Sequence, residues 1–145
     1  MKKSAIVLIA LFLFACSSTK TDTSSKPLYE VLTEQNNGGA DIRFFEILTE
    51  EKEIKMLQAD ENLKNKIKPD DINKANFVIL NLGEKPSGGH SIEVVKAEET
   101  PTQIILTIKE NAPKPGDMTM TVMSNPYAIV KVNSKKEIVI KDQNQ

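Results

Sequence analysis

From residue 76 to residue 141 the chain repeats one pattern, short apolar or apolar–polar runs separated by proline, glycine or asparagine clusters. Ile92 and Val94 share one face of such a run, as do Ile104, Leu106 and Ile108, then Met118, Met120 and Val122. Tyr127 to Val132 and Glu137 to Lys141 complete the set. A period of two with a polar opposite face is the mark of antiparallel sheet with one side on a core. The breaks fall at Glu99-Thr100-Pro101, Asn111 to Gly116, Ser124-Asn125-Pro126 and Asn133 to Lys136. At strand spacing, Met118, Met120 and Met123 read as core side chains and not as soft metal ligands. The run Asn76 to Leu82 and the run that starts at Ile92 flank Gly83-Glu84-Lys85-Pro86-Ser87-Gly88-Gly89-His90. This arrangement reads as a hairpin with an enlarged loop. Pro86 presets φ for the second turn position, and Gly88 takes the left-handed conformation that lets pairing resume.

The first half is less regular. Leu28 to Glu34 alternates like a half-buried strand, and Gln35-Asn36-Asn37-Gly38-Gly39 contains the Asn-Gly pair that favours a tight hairpin. Asp41 to Leu48 would be the returning strand. Thr49 reads as a helix cap with Glu50 and Glu51 near the positive end, Ile54 and Leu57 share a face, and Glu51 faces Lys55. A helix over 50–60 is expected, docked by one apolar stripe. Pro69 prevents it from continuing. Asp70 and Asp71 are adjacent carboxylates, but sequence neighbours do not converge on one point; they read as turn or cap residues. The domain is expected to be mainly β (α+β): an antiparallel sheet over 27–142 forming a sandwich or partly closed barrel, with one short helix.

At the N-terminus, Lys2 and Lys3 precede ten apolar residues, Ala5 to Phe14. That is half the length a bilayer-spanning helix needs and fits an export signal. Leu13-Phe14-Ala15-Cys16 ends the run on the chain's single cysteine and resembles a bacterial lipobox. Residues 1–15 are therefore expected to be a lipoprotein signal peptide and Cys16 the lipidated first residue of the mature chain. The polar stretch from Ser17 to Lys26 would be a flexible tether, making 16–26 the link to the domain. The expected location is the bacterial cell envelope, lipid-anchored and facing the periplasm.

Composition removes several classes of function. Of 19 basic and 20 acidic residues, loss of Lys2 and Lys3 leaves 17 against 20, a charge near −3 with no basic face for nucleic acid. His90 is the only histidine, so neither a histidine-based nucleophile triad nor a catalytic zinc site can be assembled in the usual way. No cofactor, metal, small-molecule substrate or enzymatic activity is expected.

Val78-Ile79-Leu80-Asn81-Leu82-Gly83-Glu84-Lys85-Pro86-Ser87-Gly88-Gly89-His90-Ser91-Ile92 resembles the signature of the PrcB C-terminal domain family. In that family a β run leads into a Gly-x-x-Pro-Thr-Gly-Gly-Tyr-Ser-Ile segment. Ala112-Pro113-Lys114-Pro115-Gly116-Asp117 and Asn125-Pro126-Tyr127 resemble its later Pro-Lys-Pro-Gly turn and Pro-Tyr pair. Ser87 stands for the usual Thr and keeps the hydroxyl, whereas His90 stands for a Tyr. The resemblance, over 76–132, implies a lipoprotein subunit that associates with a secreted or surface protease and stabilises it, without catalysis of its own.

If strands alternate in direction from residue 76, loops 83–90 and 111–117 fall at one end and 97–102 and 124–126 at the other. Lys85, Pro86, Ser87, Gly88, Gly89, His90, Lys114 and Pro115 would then form one partner-binding surface, stiffened by proline. An imidazole buried at that contact would make association pH-sensitive. An alternative is a chagasin-like protease inhibitor using loop 83–90. Its second loop would be Asn125-Pro126-Tyr127, which lacks the Arg and Trp of that class and by strand parity lies at the wrong end.

Overall fold

The computed structural model describes residues 26–144. The expectations for residues 1–15, for Cys16 and for the tether up to Ser25 lie outside the described residues.

Among the described residues seven strands alternate in direction: β1 Tyr29–Gln35, β2 Phe44–Leu48, β3 Asn76–Asn81, β4 Ser91–Glu99, β5 Gln103–Asn111, β6 Tyr127–Val132 and β7 Glu137–Asp142. Between β2 and β3 lie α1 Glu51–Ala59 and a single turn, α2 Asp71–Lys74. The strands form two sheets, ordered β1-β6-β3-β2 and β4-β5-β7, packed as a sandwich-like pair without a closed barrel. Because β6 belongs to the other sheet and separates β5 from β7 by two reversals, those two neighbours run parallel.

β3 organises the packing. Its residues Asn76-Phe77-Val78-Ile79-Leu80-Asn81 are buried on both faces, Ile79 alone being partly exposed. Val78 and Leu80 pack towards the second sheet with Ile104, Leu106, Ala128 and Val130. Phe77 points the other way, under Ile54, Leu63 and Ile67 of the helical layer, beside Ile129 and Leu32. The chain is thus three layers deep: helices, four strands, three strands.

Two expected hairpins do not form. β1 and β2 occupy opposite edges of their sheet, and Asn37-Gly38 turns a crossing instead of a hairpin. β3 takes β2 and β6 as neighbours, so β4 cannot pair with it and loop 82–90 carries the chain to the second sheet. The physical reason is burial: an unbroken apolar run needs an interior position with cover on both faces, and the one-faced β4 suits the outer sheet. The β4–β5 hairpin is real, running from Ser91↔Asn111 to Glu99↔Ile104.

The helix is where expected, with Ile54 buried, Leu57 partly buried and Lys55 paired to Glu51. Its cap is Glu50, not Thr49, in a reciprocal box in which the Glu53 carboxylate accepts from the Glu50 N–H at 3.1 Å. Asp70 stands at the cap position of α2, and Asp71 is buried, accepting from Lys68 N–H at 2.8 Å. The Asp71 carboxylate also lies 3.4 Å from Lys131, a buried β6 lysine that meets Glu30 at 3.1 Å. This links the helical layer to the sheet.

Phe77 has no exposed surface, so Phe77→Ala is expected to cost about 3–5 kcal/mol in a urea titration. Met118→Ala, at a fully exposed site, should change stability by less than about 0.5 kcal/mol.

Candidate functional site

Strand direction gathers three connections at one pole: 36–43 after β1, 82–90 after β3 and 112–126 after β5. Loops 83–90 and 111–117 therefore share an end, as expected, and 97–102 lies at the opposite one. Residues 124–126 join the first group, against the parity expectation, because 118–122 forms no strand and adds no reversal.

The loops are tied by backbone bonds. Leu82 N–H donates to Pro126 C=O at 3.0 Å, and Lys85 and Ser124 exchange two bonds of 2.7 and 3.0 Å. Gly88 N–H donates to Met120 C=O at 3.0 Å, and Ser124 Oγ donates to Ser87 C=O at 2.8 Å. Asn81 holds the first loop: its Nδ2 donates to Ala40 and Ile42 carbonyls at 2.9 and 2.6 Å, and its Oδ1 accepts from Ala40 N–H at 3.0 Å. The left-handed position of loop 82–90 next to His90 is Gly89 at φ +85°, not Gly88. Gly83, at φ +73°, lets the chain pass the backbone of Asp41 to Arg43, where a Cβ would stand 2.7 Å from the Arg43 nitrogen.

Beneath the loops is an ion network absent from the sequence reading. Glu110 of β5 takes Arg43 on one oxygen and Lys85 on the other at 2.6 Å, while Arg43 reaches Asp142 of β7 at 2.9 Å. The Arg43 guanidinium also sits 4.9 Å above the Phe45 ring. Burial pushes the Glu110 carboxyl up, but hydrogen bonds and charge from Lys85 and Arg43 outweigh it and hold the group below its usual value of 4.5. These residues are far apart in sequence, and only the sheet pairing brings them together.

The expected contact residues therefore divide. Lys85 is engaged within the domain. Pro86, Gly89, Lys114 and Pro115 are exposed, while Ser87, Gly88 and His90 are half-buried. Lys114 N–H donates to the Asp117 carboxylate at 2.8 Å, closing the 114–117 turn. The Nδ1 atom of His90 is buried and makes no hydrogen bond among the described residues.

The feature that the alternation misassigned is the apolar run. Met118, Met120, Val122 and Met123 were expected in the core; all four are exposed, from 57% at Met123 to complete exposure at Met118. The fold closes its two cores with other strands and leaves this run outside. With Gly88, Gly89, Asn36 and Asn37 these side chains line a groove of about 330 Å³ that contains no ionisable group. Among the described residues no cluster of three or more His, Cys, Asp or Glu is placed to hold a metal.

What fold and site define is a two-sheet domain that presents an uncharged, methionine-lined groove on a loop-built pole. Residues 76–133 match the family model described as PrcB C-terminal, the family its motifs resemble. The match runs from β3 through β6 and contains two of the three loops of the pole. No curated protein and no solved structure matches the chain.

Because the Glu110 pKa is lower in the folded chain than in the unfolded one, its ion pairs stabilise fully above the unfolded value. That contribution is lost as pH falls through the lowered folded value. Glu110→Gln is accordingly expected to lower Tm at neutral pH and to flatten the further loss of Tm between about pH 5 and pH 3. Parallel Tm–pH curves for the two proteins would exclude this role.

Proposed function

We propose that this chain is a lipid-anchored accessory subunit of a protease complex in the bacterial cell envelope, and that it grips its partner with the pole formed by loops 36–43, 82–90 and 112–126. The observation that carries the reading is that the family-matched segment contributes most of an exposed apolar groove. Contiguous exposed apolar surface on a soluble domain marks an interaction site. Methionine side chains are unbranched and polarizable, so they adapt to a partner's contour. The backbone ties between the loops hold the groove open before binding, which lowers the ordering cost of association.

The placement of Pro27 and Leu28, close to the first described residue, supports the same arrangement. Asn133 Nδ2 donates to Pro27 C=O at 2.7 Å, and Asn133 N–H donates to Leu28 C=O at 2.9 Å, both at the pole opposite the groove. Lipidation at Cys16 would place the bilayer on that side. Ten residues, 17–26, span at most about 35 Å when extended. The groove would then point away from the membrane, towards a periplasmic partner.

The inhibitor alternative has less support. Pro126 is buried and Asn125 is hydrogen-bonded to residues of the 37–41 loop, so this second loop does not project.

The test is co-purification of the full chain from detergent-solubilised membranes. A Met118→Asp, Met120→Asp double variant should keep its Tm within a few degrees and lose the partner. Gly88→Glu should do the same, since a Cβ there meets nothing nearer than Met120 O at 3.9 Å. A partner retained by both variants would remove the groove from the interface. Peptide turnover by papain should be unaffected by excess chain; inhibition would favour the alternative.

A further inference from the structure

Met56, Met118, Met120 and Met123 are the methionines among the described residues, and none of them belongs to either core. Met118, Met120 and Met123 line the groove, while Met56 stands exposed on α1, away from it. The chain has no tryptophan, and its single cysteine, Cys16, lies outside the described residues. The rest of the groove lining is asparagine, glycine, threonine, valine and serine, none of which mild oxidants attack. Three exposed thioether sulfurs are thus gathered on one apolar surface. What holds 118–123 in place does not involve them. Gly88 N–H donates to the Met120 backbone carbonyl at 3.0 Å. Main-chain bonds fix the two ends, Asp117 N–H to Lys114 C=O and the pair between Lys85 and Ser124. Oxidation of a core methionine disrupts packing; oxidation here changes the surface and leaves the fold in place.

We propose that Met118, Met120 and Met123 form an oxidant-sensitive switch: peroxide converts them to sulfoxides, and the groove loses its partner while the domain stays folded. Each sulfur gives a lone pair to one peroxide oxygen; an S–O bond forms, the O–O bond breaks, and the second oxygen leaves as water. The sulfur is oxidised by one electron pair, and the peroxide is reduced by the same pair. A sulfoxide oxygen is a strong acceptor, and no charged donor lines the groove to meet it. Burying that oxygen against a partner therefore costs an unmade hydrogen bond. A partner already seated shields the sulfurs, so oxidation blocks assembly and does not dissolve a formed complex. Methionine sulfoxide reductases reverse the step: a pair of thiols becomes a disulfide and the oxygen leaves as water. This inference rests on the accessory-subunit reading and adds to it the regulation of the same surface.

The test treats the full chain, purified in detergent, with hydrogen peroxide and then removes the oxidant. The product is mapped by peptide mass spectrometry and used to capture protein from detergent-solubilised membranes. Each groove methionine should gain one oxygen, Tm should stay within a few degrees, and capture should fall about tenfold. A methionine sulfoxide reductase supplied with a dithiol should restore it. The triple variant Met118→Leu, Met120→Leu, Met123→Leu keeps the groove apolar and removes its sulfur, so its capture should be the same before and after peroxide. Met56→Leu should respond as the unaltered chain does. A triple variant as sensitive as the unaltered chain overturns the switch, and so does a fall in Tm that keeps pace with oxidation. If the methionine-to-aspartate double variant loses the partner but the fully sulfoxidised chain keeps it, the accessory reading stands and this inference is refuted. If the aspartate variant keeps the partner, the groove reading fails and takes the switch with it.

Discussion

Strand β3 is covered on both faces, with Ile79 alone partly exposed, and the other elements are arranged to cover it. One face requires the three-stranded sheet and the other requires the helical layer, while its two edges take β2 and β6. Buried backbone groups must be hydrogen-bonded, so a strand covered on both faces has to be an interior strand as well. Those requirements fix where the chain can go after Asn81: it must leave the sheet. Loop 82–90 is the means of leaving, which is why it is long, glycine-bearing and bonded to other loops instead of to its own ends.

Much of this was legible in the residues. Apart from 118–122, the runs read as strands after residue 76 are strands, β3 from its apolar run and the others from alternation, and α1 was readable from its stripe of Ile54 and Leu57. The gathering of loops 83–90 and 111–117 at one pole follows from alternating strand direction. What could not be read was partner choice. A turn such as Asn37-Gly38 reports that the chain bends but not which strand it returns to, and pairing across the domain is decided by total burial. The parallel β5–β7 pair and the network of Arg43 with Glu110, Lys85 and Asp142 are of that kind, joining residues up to 99 positions apart.

The methionines show a different limit. Alternation permits a strand, but a strand exists only when a neighbour supplies its hydrogen bonds. Seven strands already satisfy both cores, and the eighth candidate, 118–122, is left without an edge to join. The pattern was therefore misread twice, as a strand and as internal. The run lies within the segment, 76–133, that matches the PrcB C-terminal family.

The suspension of residues 118–123 between the Lys114–Asp117 turn and the Lys85–Ser124 bridge has an evolutionary consequence. None of the apolar side chains in that span supports the interior, so their identities can drift without unfolding the domain. If the groove is the contact proposed above, rewriting half a dozen positions would redirect one scaffold to different partners, with the anchoring residues on either side kept as they are.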